Sequence, residues 1–134
     1  MKPRYIDIPL HSDLRGNLSV VDSMSCLPFH LKRIFYICNI PINSERGGHA
    51  HYKCHQFICC LSGSVTIEGY SENKISEKYL LSDPNKGLYV PPLNWTSMKA
   101  NTKDCIYLVA ASDFYDEKDY ITNFKMFIKI CDAN

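Results

Sequence analysis

Residues 46–51 read Arg-Gly-Gly-His-Ala-His, and these types at this spacing admit metal binding, proton transfer or anion binding. His49 and His51 stand two residues apart, so in a strand both point to the same face. Gly47 and Gly48 let the chain turn sharply, or let a ligand approach the backbone, just before that strand. A lone histidine would be read as an ordinary hydrogen-bonded side chain; a pair flanked by glycines and an arginine asks for chemistry. An imidazole, with a reference pKa of about 6.5, both accepts and donates protons at neutral pH. Two on one face serve neighbouring carbons of one ligand, as in moving a carbonyl along a sugar.

The elements that must position this pair are short. Apolar or alternating runs at 4–8, 17–21, 31–40, 55–61, 64–70, 74–81, 87–90 and 105–111 are rich in Ile, Val, Tyr, Phe and Thr, the composition and length of strands. Turn residues separate them: SG at 62–63, SEN at 71–73, SDPNKG at 82–87 and NTKD at 101–104. Only the tail reads as helical: Tyr120, Phe124, Phe127 and Cys131 step by four, three and four residues, after candidate caps at Asp116 and Asp119. Many short antiparallel strands with one terminal helix make a sandwich or a barrel, and a small barrel holds one small ligand inside.

The whole chain, 134 residues and 46% hydrophobic, is the size of one globular domain. Its 15 basic and 14 acidic side chains nearly cancel, which argues against a nucleic-acid surface but not against a phosphorylated small molecule. No apolar run approaches the roughly 18 residues of a membrane span, and the N-terminus lacks a signal-peptide stretch. The seven cysteines lack CxxC spacing and sit mostly in apolar runs, so they read as buried reduced thiols of a cytoplasmic protein.

His-x-His also opens the first metal motif of the cupins, which continues with a glutamate and a glycine. Here the corresponding spacings land on His55 and Gln56, and no histidine follows position 55. A transition metal wants three or four nitrogen or carboxylate donors; this chain offers three histidines only if His55 turns inward. A metal-free site that keeps the pair for acid–base work is the more economical reading. A three-histidine metalloenzyme and a non-catalytic sugar-nucleotide-binding cupin remain as alternatives.

Five blocks in order, DLRGNLSV at 13–20, LPFHLKRIFYI at 27–37, ERGGHAHYKCHQFICCLSGSVTI at 45–67, GLYVPPLNW at 87–95 and LVAASDFYDEKDYI at 108–121, are similar to the nucleotide-linked sugar 3,4-ketoisomerases. These are small cupins acting on dTDP-4-keto-6-deoxyglucose. The resemblance implies an all-β cupin-type antiparallel barrel (jelly roll) with a short C-terminal helix. It implies His49 as the principal base, with His51 and Tyr36 as partners, Arg33 and Arg46 near the pyrophosphate, and Gln56 kept at the family's glutamine. It implies no metal or nicotinamide, a homodimer, and a product passed on to amino-sugar synthesis for surface glycans. Tyr89 and Trp95 are candidates to stack on the thymine. Arg15 and Thr96 lie where the configuration at C4 is set; Arg15 is like the galacto-type enzymes, whereas Thr96 replaces a His or Arg common in relatives. Arg33 and Tyr36 are three apart, so only a bulge or strand end brings both to one ligand.

Overall fold

In a computed structural model describing all 134 residues, the alternating runs become antiparallel strands. They are β1 (Arg4–Asp7), β2 (His11–Asp13), β3 (Gly16–Leu18), β4 (Arg33–Ile37), β5 (Glu45–His51), β6 (Gln56–Ser62), β7 (Val65–Ser71), β8 (Ser76–Leu81), β9 (Lys86–Val90), β10 (Asn94–Ala100), β11 (Ile106–Ala111) and β12 (Tyr120–Ile121). A single helix, α1 (Phe124–Ala133), ends the chain. One sheet has the order β1-β9-β6-β11-β4 and the other β12-β5-β10-β7-β8, while β2 and β3 form a separate hairpin. This is the expected cupin-type jelly roll. The two sheets face one another without closing into a continuous barrel, so β1, β4, β8 and β12 remain edges.

Strand alternation sorts the side chains into three layers. Between the sheets, Ile58, Cys60, Leu88, Val90 and Val109 meet Val65, Ile67, Leu81, Met98 and Ala100. On the outer face of the first sheet, Phe57, Cys59, Tyr89 and Ala110 are covered by Leu27 and its neighbours Val21, Cys26 and Phe29. On the outer face of the second, α1 lays Phe127 and Cys131 over Ala50, Ile121 and Trp95. Five of the seven free cysteines are buried, and burial pushes the Cys59 and Cys60 thiols up to about 11 and about 12. Such thiols are protonated and unreactive at neutral pH.

Two expectations are corrected here. The helix starts later than the apolar spacing predicts: Asn123 caps it by accepting from the Met126 amide, and Tyr120 belongs to β12 instead. Asp116 caps only a short 3-10 turn at Glu117–Asp119. Asp119 is no cap at all but a buried carboxylate. Strand β10, central in its sheet, carries the sequence NWTSMKA, whose mixed small and polar residues gave no clear strand signal.

Candidate active site

The two glycines of the motif decide which side chains meet. Gly47 and Gly48 have φ of 90° and 75°, the left-handed region in which a Cβ is costly. They form a bulge: β10 pairs Thr96 with His49 but Ser97 with Gly47 and Met98 with Arg46, so β5 carries one residue more than its partner. Without the bulge, Arg46 and His49, three apart, would face opposite sides. With it, both face the space between the sheets. A Cβ on Gly47 would come within 2.8 Å of the Thr96 carbonyl oxygen, so β10 itself requires glycine there.

Arg46, Gly47 and His49 line a cavity of about 180 Å³ together with Phe35, Ile37, Gln56, Met98, Tyr107 and Tyr120. A neighbouring depression, bordered by Glu45, Gly48, Trp95 and Ser97, shares Arg46 and Gly47 with it. His51 lies one layer back, 5% exposed. Its ring centroid is 5.2 Å from that of His49 and 4.5 Å from that of Tyr120. The His51 Nδ1 is 3.0 Å from Asp119 Oδ2; the same carboxylate accepts from the Lys53 amide at 2.8 Å and the Cys54 amide at 3.2 Å. The His51 Nε2 is buried without a partner.

Burial lowers the pKa of both histidines. For His49 the proximity of His51 adds to the effect, and a hydrogen bond to the Gly47 backbone opposes it. For His51 the opposing influence is Asp119. Both rings are therefore neutral near pH 7 and able to accept a proton.

The remaining sequence candidates divide. Gln56 is buried and lines the cavity, and Thr96 is buried opposite His49. Arg33 faces inward on β4, packed against Phe35 and Tyr115, with its Nε buried and unpaired. Strand β4 is regular against β11, so no bulge rescues Tyr36: it projects outward, 68% exposed. Trp95 lies against Phe124 and Phe127 of α1, at the border of the second depression. Tyr89 is in the outer layer, its hydroxyl 2.7 Å from His55 Nδ1. Arg15 is at the exposed tip of the β2–β3 hairpin, its Nη2 2.6 Å from Asp13 Oδ2, and no hairpin residue lines the cavity.

Sequence reasoning missed Asp119 and Tyr120, which looked like a helix cap and a helix face. Both lie inside the block at 108–121, LVAASDFYDEKDYI, where nothing in the local pattern sets Asp119 apart from the other acidic residues. As for metal donors, His55 is turned to the far side of the first sheet, so the three-histidine set does not form. The one other cluster within metal reach is His51, Cys54 and Asp119, whose carboxylate already accepts the Lys53 and Cys54 amides.

Residues 1–132 match the family described as FdtA: WxcM-like, C-terminal. The chain is 37% identical over 131 residues to a TDP-4-oxo-6-deoxy-alpha-D-glucose-3,4-oxoisomerase of Aneurinibacillus thermoaerophilus, covering 96% of this chain and 94% of that one. A histidine-to-asparagine mutant of the 3,4-ketoisomerase QdtA from Thermoanaerobacterium thermosaccharolyticum, crystallised with TDP-4-keto-6-deoxyglucose, superposes with a TM-score of 0.93 at 34% identity, over 99% and 96% of the two chains. WlaRA, a TDP-fucose-3,4-ketoisomerase from Campylobacter jejuni, superposes with a TM-score of 0.91 at 33% identity, over 97% and 96%.

Proposed function

Since the chain belongs to the FdtA (WxcM-like, C-terminal) family and is a sugar-nucleotide 3,4-ketoisomerase, we propose that it isomerises dTDP-4-keto-6-deoxyglucose in the cavity beside His49, without a metal. The observation that carries this is the convergence of His49, Arg46, Gln56 and Tyr120 on one small cavity, with His51 behind. At about 180 Å³ the cavity is smaller than the ~300–1,000 Å³ that encloses a whole drug-sized ligand. It suits the hexose, with the diphosphate at Arg46 and the nucleoside along the neighbouring depression toward Trp95. A guanidinium at that boundary is well matched to a phosphate.

The ketone at C4 acidifies the proton on C3. His49 takes that proton; the C–H bonding pair forms the C3=C4 double bond, and the carbonyl pair moves to the C4 oxygen. The C3 hydroxyl then gives up its proton as C3=O forms, and the double-bond pair takes a proton at C4. The C4 oxygen, now protonated, becomes the hydroxyl. One keto sugar becomes its isomer with no net change in electrons, so the chemistry calls for no external oxidant.

We place the product in the galacto series, because Arg15 is like the galacto-type relatives. In this chain Arg15 stands outside its own cavity, so a part in stereocontrol requires the hairpin of a second copy. That agrees with a homodimer, as do the exposed Leu10, Leu14 and Leu18 on and beside the hairpin. No helix is long and apolar enough to cross a membrane, and a cytoplasmic location suits a nucleotide-sugar substrate.

Incubation with dTDP-4-keto-6-deoxyglucose in deuterated water tests the reading. NMR should show deuterium at C4 of a 3-keto product, with the galacto configuration read from the H4 coupling in a control run in ordinary water. An unchanged sugar would overturn it, and a gluco product would remove the stereochemical assignment.

A further inference from the structure

We propose that Asp119 is a positioning residue for the isomerisation: it holds His51 as the Nδ1–H tautomer, leaving Nε2 as a bare proton acceptor. The inference rests on the ketoisomerase reading for its effect on rate, but not for its structural content.

Asp119 and His51 are each 5% exposed, and their facing atoms are 3.0 Å apart. The carboxylate already accepts the Lys53 and Cys54 amides, so it offers a third partner only acceptor capacity. The imidazole must then donate from Nδ1, and a neutral ring that donates from one nitrogen carries its lone pair on the other. That other nitrogen, Nε2, is buried and unpartnered. A buried polar atom without a partner is costly, and it is rare unless a ligand or reaction uses it. The ring rests against His49 and Tyr120, both of which line the cavity. His51 is thus prepared to accept a proton at Nε2 during the isomerisation, forming an imidazolium that keeps its Nδ1–H on Asp119. The charged and titratable groups around it are Asp119, Arg33, Asp113, His49, Tyr120 and Cys54; of these only Asp119 is hydrogen-bonded to the ring.

A purely structural Asp119, tying the 52–54 turn to the 3-10 turn, would not care which ring nitrogen carries the proton. The tautomer therefore discriminates. Long-range proton–nitrogen NMR of the ligand-free wild type should show His51 protonated at Nδ1 and bare at Nε2. Asp119→Asn presents an amide that can donate to Nδ1, and it should reverse the tautomer. In that variant kcat should fall about 10²–10⁴-fold, as for loss of a correctly held general base, with KM unchanged and the circular dichroism of the wild type. A wild-type His51 protonated at Nε2, or Asp119→Asn with wild-type kcat, would overturn the proposal. Should the variant not fold, the wild-type spectrum alone decides. Because that spectrum needs no substrate, a failure of the ketoisomerase reading itself, seen as no turnover by the wild type, is separately visible.

Discussion

Two clusters in this molecule are built from nearly the same side chains. Outside the first sheet, His55, Tyr89, Phe29 and Arg4 stack together: the His55 and Tyr89 rings are 6° from parallel, Phe29 lies 5.8 Å from His55, and the Arg4 guanidinium is 5.1 Å over Tyr89. Between the sheets, His49, His51, Tyr120, Phe35 and Arg46 come together. Residue type does not separate the two. The fate of the polar atoms does: outside, His55 Nδ1 meets the Tyr89 hydroxyl under a lid of apolar residues from 21–29. Inside, one ring nitrogen stays unpaired and the rings border an open cavity. A satisfied cluster contributes stability; an unsatisfied one beside a void is available for a ligand.

The largest expected effect separates the two clusters by activity. His49→Asn should lower kcat about 10²–10⁴-fold with little change in KM, because a base acts on the transition state. His55→Asn should leave kcat intact and lower the melting temperature. Steady-state kinetics with calorimetry on both variants checks this, and a His55 variant with the larger kinetic defect would break the distinction.

Next in size is binding. Arg46→Ala should weaken dTDP affinity about 10–150-fold, the worth of one charge-assisted hydrogen bond of roughly 1.5–3 kcal/mol. Titration calorimetry measures it, and unchanged affinity would remove Arg46 from the phosphate site. Tyr89→Phe sharpens the contrast from the other side. It strips His55 of its partner at a cost of about 1–3 kcal/mol of stability, while dTDP affinity stays at the wild-type value.

A smaller effect is the response of stability to acid. Both inner histidines titrate below their ordinary 6.5 when folded, chiefly through burial. Above that value the rings are neutral in the folded and unfolded chain alike. As pH falls below it, the unfolded chain binds protons that the folded one refuses, so stability is lost toward the folded pKa. The melting temperature should drop by a few degrees between pH 7 and pH 5, and less so in His49→Asn. An equal drop in both proteins would locate the acid sensitivity elsewhere. Smallest of all, a chelator should leave turnover unchanged; loss of turnover restored by a divalent ion would end the metal-free mechanism.

Much of this was legible in the chain before any coordinates. Period-two alternation in runs such as SVTIEGY placed the strands, because a half-buried strand must alternate. The pair His49 and His51 shared a face for the same reason, and Gln56 came with the family resemblance. The unreadable parts were those where a local rule was broken by a distant partner. Arg46 reaches the face of His49 only because β10 runs past Gly47 and Gly48 and forces a bulge; no pattern within 46–51 announces the register of that pairing. Tyr36 sits at the same spacing from Arg33, but β4 lies on a regular ladder and Tyr36 stays outside.

What the sequence by itself determined was the kind of structure and the kind of chemistry. Strand periodicity, turn residues and a His-x-His beside glycines depend only on near neighbours, and near neighbours are written in order along the chain. What only the tertiary structure decided was which polar atoms are left over. Asp119 reaches His51 across 68 residues, and His55 finds Tyr89 across 34, by way of sheet order and layer packing. Hydrogen-bond satisfaction is settled by whichever group lies within about 3 Å, and no local pattern specifies a neighbour that distant.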